Sequence, residues 1–221
     1  MAGKLIDIFQ NCKCVNEEKH LAAGEVRSLA FGDNNTVMVV ELGLHEVVSR
    51  RTLHKAEMQI ADTYGMFYMR LVRKGVRKVY EPGSTFTIGK AVHLREGKDV
   101  TIIASGYCVA EAISAAKILQ EQGISARVLN MFTWKPLDEQ AVIEAAAETG
   151  AIVTAENHNV INGLGSAVSE VLAKHNPAPV EMVGVQDEFG EVGPVDYLRE
   201  RFGLTDENIT AAVHRVLQRK H

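Results

Sequence analysis

The sequence predicts an α/β fold: a mostly parallel sheet flanked by helices, preceded by a partial βαβ fragment. Three observations predict it. Between residues 99 and 203, short β-branched runs alternate with stretches of helical periodicity. Such alternation specifies parallel strands, because each crossover needs a helix on the sheet face. A distinctive loop follows almost every strand: Ser105-Gly106-Tyr107, Phe132-Thr133-Trp134-Lys135-Pro136, Glu156-Asn157-His158 and Asp187-Glu188-Phe189-Gly190-Glu191-Val192-Gly193-Pro194. Loops at the carboxyl ends of strands are where such sheets place function. Finally, a hydrophobic share of 46% over 221 residues is enough to bury a core without staples.

Taken in order, residues 1–34 are irregular and turn-rich. Thr36-Val37-Met38-Val39-Val40 reads as a buried strand. From Leu44 to Asp62 the spacing of Leu44, Val47, Val48, Leu53, Ala56 and Ile60 is helical. Met66 to Val72 reads as a second strand. One βαβ unit leaves sheet faces and edges uncovered, so it is too small to stand alone. Glu81-Pro82-Gly83-Ser84 is turn chemistry and opens a connector, in which Phe86, Ile88 and Ala91 alternate as in a strand. The boundary falls near residue 90, dividing the chain into residues 1–88 and 89–221.

The second part begins with Asp99 to Ala104 as a buried strand. Val109, Ala112, Ile113, Ala116 and Leu119 form one helix face, stopped by Gly123. Ala126 to Met131 is the next strand. Asp138 offers an N-cap for a helix running to Gly150. Ala151 to Ala155 makes a third strand, and Gly163-Leu164-Gly165-Ser166 opens a helix with Val168, Val171 and Leu172 inward. Val180 to Val185 makes a fourth strand, and two helices close the chain.

Charge and cysteine usage narrow the function classes. A net charge of −4 and a pI near 6.1 argue against a nucleic-acid binder. The basic cluster Arg70, Arg73, Lys74, Arg77, Lys78 is either a solvated strand end or a phosphate-facing patch. Three cysteines without a framework suggest a reducing compartment. Cys12-Lys13-Cys14 has the wrong spacing for a zinc site and no second pair. Neither a secretory leader nor a membrane-length apolar run is visible, so a cytoplasmic protein is expected.

Several loops carry chemistry-bearing residues with two readings each. Asn162-Gly163-Leu164-Gly165-Ser166 could offer backbone N–H groups to a phosphate at a helix start, or could be tight packing of helix on sheet. Glu156 and His158 could do acid–base work or build a hydrogen-bonding loop. Glu188 and Glu191 resemble a carboxylate pair. Trp134, with Lys135, suits an aromatic interface anchor or a core aromatic at a bend. No nucleophile–base or metal-protease arrangement stands out.

Residues 89–210 resemble the carboxy-terminal domain of transketolase. The likeness runs through Gly89-Lys90-Ala91, Glu96 to Gly106, Ala126 to Met131, Trp134-Lys135-Pro136-Leu137-Asp138 and Glu156-Asn157-His158. It continues through Gly163 to Val168 with Glu170, Phe189-Gly190-Glu191 with Gly193-Pro194, and Phe202-Gly203-Leu204-Thr205. Residues 36–80 resemble, more loosely, the last βαβ unit of the family's pyrimidine-binding domain. Val72 and Glu41-Leu42-Gly43 depart from its pattern.

The resemblance implies a three-layer αβα, Rossmann-like domain in 89–221, with residues 1–88 a truncated pyrimidine-domain remnant and linker. It implies thiamine diphosphate and Mg²⁺ in the complete enzyme, but none bound by this chain alone. The family's catalytic glutamate, ring pocket and metal motif have no counterpart here. It also implies an N-terminal transketolase subunit as partner, a homodimer, and transfer of a two-carbon ketol unit between sugar phosphates. Arg73 matches the family's sugar-phosphate arginine, a role suited to a bidentate guanidinium. The alternatives are a subunit of a deoxyxylulose-phosphate synthase or 2-oxoacid dehydrogenase, and a non-catalytic dimerisation or binding module.

Overall fold

The computed structural model describes residues 37–42, 66–71, 77, 79, 80 and 84–220, with the backbone alone at 37–42 and 71. Its main sheet has five strands: β3 (Val92–Arg95), β4 (Val100–Ala104), β5 (Ala126–Asn130), β7 (Ile152–Asn159) and β8 (Val180–Val185). Their order across the sheet is β3-β5-β4-β7-β8. The strand pairs β4·β5, β4·β7 and β7·β8 are parallel. Only β3, at one edge, runs antiparallel. Five helices accompany the sheet: α1 (Cys108–Glu121), α2 (Glu139–Thr149), α3 (Leu164–His175), α4 (Val195–Arg201) and α5 (Asp206–Gln218).

The period-2 alternation of strand side chains divides the core into two layers. Ile102, Val128 and Val153 face α1 and α5, packing with Leu119, Ile209 and Val213. Ile103, Leu129 and Ile152 face α2 and α3, packing with Val142, Leu164 and Val168. The mostly parallel, three-layer α/β architecture expected from the sequence is therefore present. Each fully buried Ile or Leu here stabilises the fold by roughly 1.5–3 kcal/mol before entropy is subtracted.

Helix ends follow the expected chemistry. The Asp138 carboxylate accepts from the Ala141 N–H (3.4 Å), and Gly150 closes α2 with φ 63. Gly123, just past α1, takes φ 81, a left-handed conformation that suits glycine. The Asp138 carboxylate also accepts from the Ala91 N–H (2.9 Å), tying the connector to α2.

Three expectations shift. The connector strand sits at Val92–Arg95, pairing with β5, rather than over Phe86–Ala91. Phe86 instead turns inward against Tyr80 and Phe132, with ring centroids 4.8 and 5.4 Å away. Burial pushes the Tyr80 phenol up to about 12, partly offset by a hydrogen bond from Asn130. β7 runs on to Asn159, so Glu156-Asn157-His158 belongs to a strand rather than a loop.

The third shift is at Thr133–Lys135, which the sequence presents as a loop. It is a short strand, β6, and pairs antiparallel with β1 (Val37–Leu42). β1 in turn pairs in parallel with β2 (Met66–Leu71), from Val37↔Met66 to Leu42↔Leu71. A second sheet, β2-β1-β6, thus joins the amino-terminal fragment to the larger domain. The expected helix at 44–62 lies outside the described residues.

Candidate functional site

The chain's order through the sheet places a topological switch between β4 and β7. From β4 it crosses through α1 to β5 on one side, then through α2 to β7 on the other. In open α/β sheets, ligands bind in the crevice at such a point. Here hydrogen bonds within the chain span that point. The Tyr107 N–H, in the loop after β4, donates to Asn157 Oδ1 (3.4 Å). Arg70 on β2 donates from Nη2 to the Asn157 carbonyl (2.7 Å). The amino-terminal fragment therefore docks onto the switch point through a side chain that the sequence alone placed only in a basic cluster.

A second candidate is the Gly-rich start of α3. Its first-turn N–H groups and positive dipole end suit an anion. The anion is supplied by the chain itself. Glu156 is fully buried, and its two carboxylate oxygens accept from the Leu164 and Gly165 N–H groups, each at 2.8 Å. A Cβ at Gly163 would land on the Glu156 carboxylate, and one at Gly165 would meet Met182 Sδ at 2.8 Å and Thr154 Oγ1 at 2.9 Å. Both glycines serve close packing, and the phosphate reading of this loop is corrected: a diphosphate does not fit where Glu156 already sits. His158 Nδ1 lies 4.0 Å from Glu156 Oε2 and 2.9 Å from the Asn159 carbonyl.

Trp134 sits on β6, half-buried, with its ring edge-on to His158 at 5.5 Å. Trp134, Glu156 and His158 thus gather near one end of the sheet. Glu191 accepts from Arg201 Nε (2.7 Å) and the Tyr197 hydroxyl (2.8 Å). Glu188 binds the same guanidinium at 2.7 and 3.2 Å. The suspected carboxylate pair is therefore a clamp on one arginine. Hydrogen bonds from Tyr197 and Arg201 hold the Glu191 carboxyl below its ordinary range. Arg73 lies outside the described residues.

Sequence reading missed a buried ion cluster. Glu111, fully buried on α1, is bound by Arg77 from the linker and by Arg199 of α4 (3.0 Å). Arg199 also lies over the Tyr107 ring, 5.6 Å from its centroid. A glutamate on the apolar face of α1, beside Ala112 and Ala115, was the available signal. Among the described residues, no three His, Cys, Asp or Glu side chains gather as metal ligands. No helix there is long and apolar enough to cross a membrane.

The fold and these loops define an α/β domain whose switch point is bridged by hydrogen bonds of its own chain and which joins a fragment of a second sheet. Residues 89–209 match the family model described as transketolase, C-terminal domain. The chain belongs to that family. It is 51% identical over 178 residues to the 6-deoxy-6-sulfo-D-fructose transketolase subunit of Clostridium sp. (strain MSTE9), covering 80% of this chain and 55% of that protein. It is 43% identical over 160 residues to an apulose-4-phosphate transketolase subunit of Phocaeicola vulgatus, covering 72% and 51%. A solved structure described as a split gene transketolase, inactive beta4 tetramer, superposes with a TM-score of 0.78 at 43% identity. It matches 84% of this chain and 59% of its own. The chain spans about half the length of the curated relatives it matches. Complete enzymes of the family depend on thiamine diphosphate.

Proposed function

We propose that this chain is the carboxy-terminal section of a split transketolase, inactive alone and completed by an amino-terminal partner chain. The complete enzyme transfers a two-carbon ketol unit between sugar phosphates in the cytoplasm. Residues 1–88 act as the end of a pyrimidine-binding unit with its linker, and residues 89–221 as the platform beneath it. The observation carrying this reading is the joint itself. The switch-point crevice, where a free-standing α/β enzyme would take its ligand, is used to hold the amino-terminal fragment through Arg70 and Asn157. The names of the relatives, both transketolase subunits, supply the reaction class.

Thiamine diphosphate and Mg²⁺ belong to the assembled enzyme in this reading. Calorimetry of the chain alone with both is expected to show no saturable binding. Micromolar binding to the isolated chain would contradict the division of labour.

Arg73 is the residue we assign to the substrate phosphate. In a reconstituted enzyme, Arg73→Ala is expected to raise KM for phosphorylated sugars about 10- to 150-fold, the worth of one charge-assisted hydrogen bond. KM for unphosphorylated sugars should hold. Equal effects on both would make Arg73 structural. Self-association is part of the same proposal, supported by the beta-only assembly of the 43% identical relative.

A further inference from the structure

Two polar anchors tie the amino-terminal part of the chain to the larger domain, and they bracket Arg73. The first is Arg70, near the end of β2, whose Nη2 donates to the Asn157 carbonyl at 2.7 Å. The second is Arg77, whose guanidinium binds the Glu111 carboxylate and donates to Ser114 Oγ at 3.0 Å. Arg73 lies three residues after Arg70 and four before Arg77. Covalent geometry alone keeps its Cα within roughly 11 Å of the Arg70 Cα.

Both anchors end on groups that are themselves held. Asn157 belongs to β7, and its Oδ1 accepts from the Tyr107 N–H in the loop after β4 (3.4 Å). Glu111, four residues further on in α1, is fully buried. Its Oε1 takes Arg77, and its Oε2 takes Arg199 of α4 at 3.0 Å. Met69, beside Arg70 on β2, packs against the Tyr80, Phe86 and Phe132 cluster. Successive strand residues point to opposite faces, so β2 is gripped on both.

Stability alone does not call for such a cluster. Taking charges out of water is costly, and well-packed apolar groups of similar volume would hold the linker on α1 at least as well. What directional guanidinium contacts add is register, because each fixes a distance and an angle. A short segment pinned at both ends also samples fewer conformations than one pinned at a single end.

We propose that these anchors set the position of Arg73. Arg70, Glu111 and Arg77 are positioning residues, through which the carboxy-terminal domain orients the arginine for the substrate phosphate. This rests on the Arg73 reading above and gives residues 89–221 a part in substrate selection.

Glu111→Gln and Arg77→Ala test it together, because they change the local charge in opposite directions. A purely electrostatic effect on a phosphorylated sugar would lower KM in Glu111→Gln and raise it in Arg77→Ala. A displaced Arg73 raises it in both. The chain is reconstituted with the amino-terminal section of a split transketolase, with fructose 6-phosphate and fructose as paired probes. Each variant is expected to raise KM for fructose 6-phosphate by about 3- to 10-fold and to move KM for fructose far less. In an Arg73→Ala background the same substitutions should add nothing, since all act through one side chain. Hydrogen–deuterium exchange over residues 71–76 of the unmixed chain is independent of turnover, and both variants should exchange faster there than the wild type. The Arg77 side chain is about half exposed, so Arg77→Ala decides should Glu111→Gln fail to fold. Equal losses for both sugars, a loss that persists in full without Arg73, or unchanged exchange overturns the positioning and leaves Arg73 standing. If Arg73→Ala itself shows no phosphate selectivity, the substrate reading falls and the anchors' role falls with it.

Discussion

Glu156→Ala is expected to destabilise the protein by about 3–5 kcal/mol. Two charge-assisted hydrogen bonds are lost at once, and each is worth about 1.5–3 kcal/mol. Both acceptors belong to one carboxylate that is shut off from water, and both donors lie in the first turn of α3. Water cannot easily replace the acceptor in so closed a site, so the amides stay unsatisfied. Glu156→Gln separates this from packing. The amide keeps one acceptor oxygen and nearly the same volume, so about half the loss is expected. Denaturant midpoints measure both. Equal stability in wild type and alanine variant would mean that the carboxylate does not hold α3.

Glu111→Ala should have the next largest effect, about 2–3 kcal/mol. Removing one member of a buried ion cluster costs about 3–5 kcal/mol when the remaining charge has nowhere to go. A loss at or below the bottom of that range is expected here. The Arg77 side chain is about half exposed, and Arg199 keeps Asp196 at 3.2 Å. The reverse substitution, Arg199→Ala, should cost less, because Glu111 keeps Arg77. Thermal melts of the two variants give the ranking. A larger loss for Arg199→Ala than for Glu111→Ala would mean that Arg199 acts through packing rather than through this carboxylate.

The larger domain was legible in the sequence because its signals are local. Strand runs, the Asp138 cap and glycines after helices act within a few residues of themselves. Both readings of the α3 start were also visible, and the choice between them was not. It depends on Glu156 reaching eight residues forward, a distance set by how β7 and α3 meet. The Trp134 segment shows the same limit. Thr133–Lys135 is a strand only because β1, nearly a hundred residues earlier, offers an edge. β pairing between distant segments leaves little trace in a three-residue stretch. Glu111 hid for another reason. Helical periodicity places it on the buried face, yet a carboxylate there is expected only once its arginines are known, and those come from the linker and α4.

The joint at Asn157 has the same origin. Arg70 reads as one member of a basic cluster, and Asn157 as one residue of a polar triplet. Neither suggests the other until β2 lies beside the end of β7. The loop after β4 and the end of β7, at the sheet end where the sequence pointed to function, thereby meet the amino-terminal fragment.

The most direct test of the account is ketol transfer by the purified chain, alone and mixed with the amino-terminal section of a split transketolase. Both are supplied with thiamine diphosphate, Mg²⁺ and phosphorylated sugars. The account predicts no transfer by the chain alone and transfer in the mixture. Transfer by the chain alone, or a mixture that forms a stable complex and transfers nothing, would contradict it.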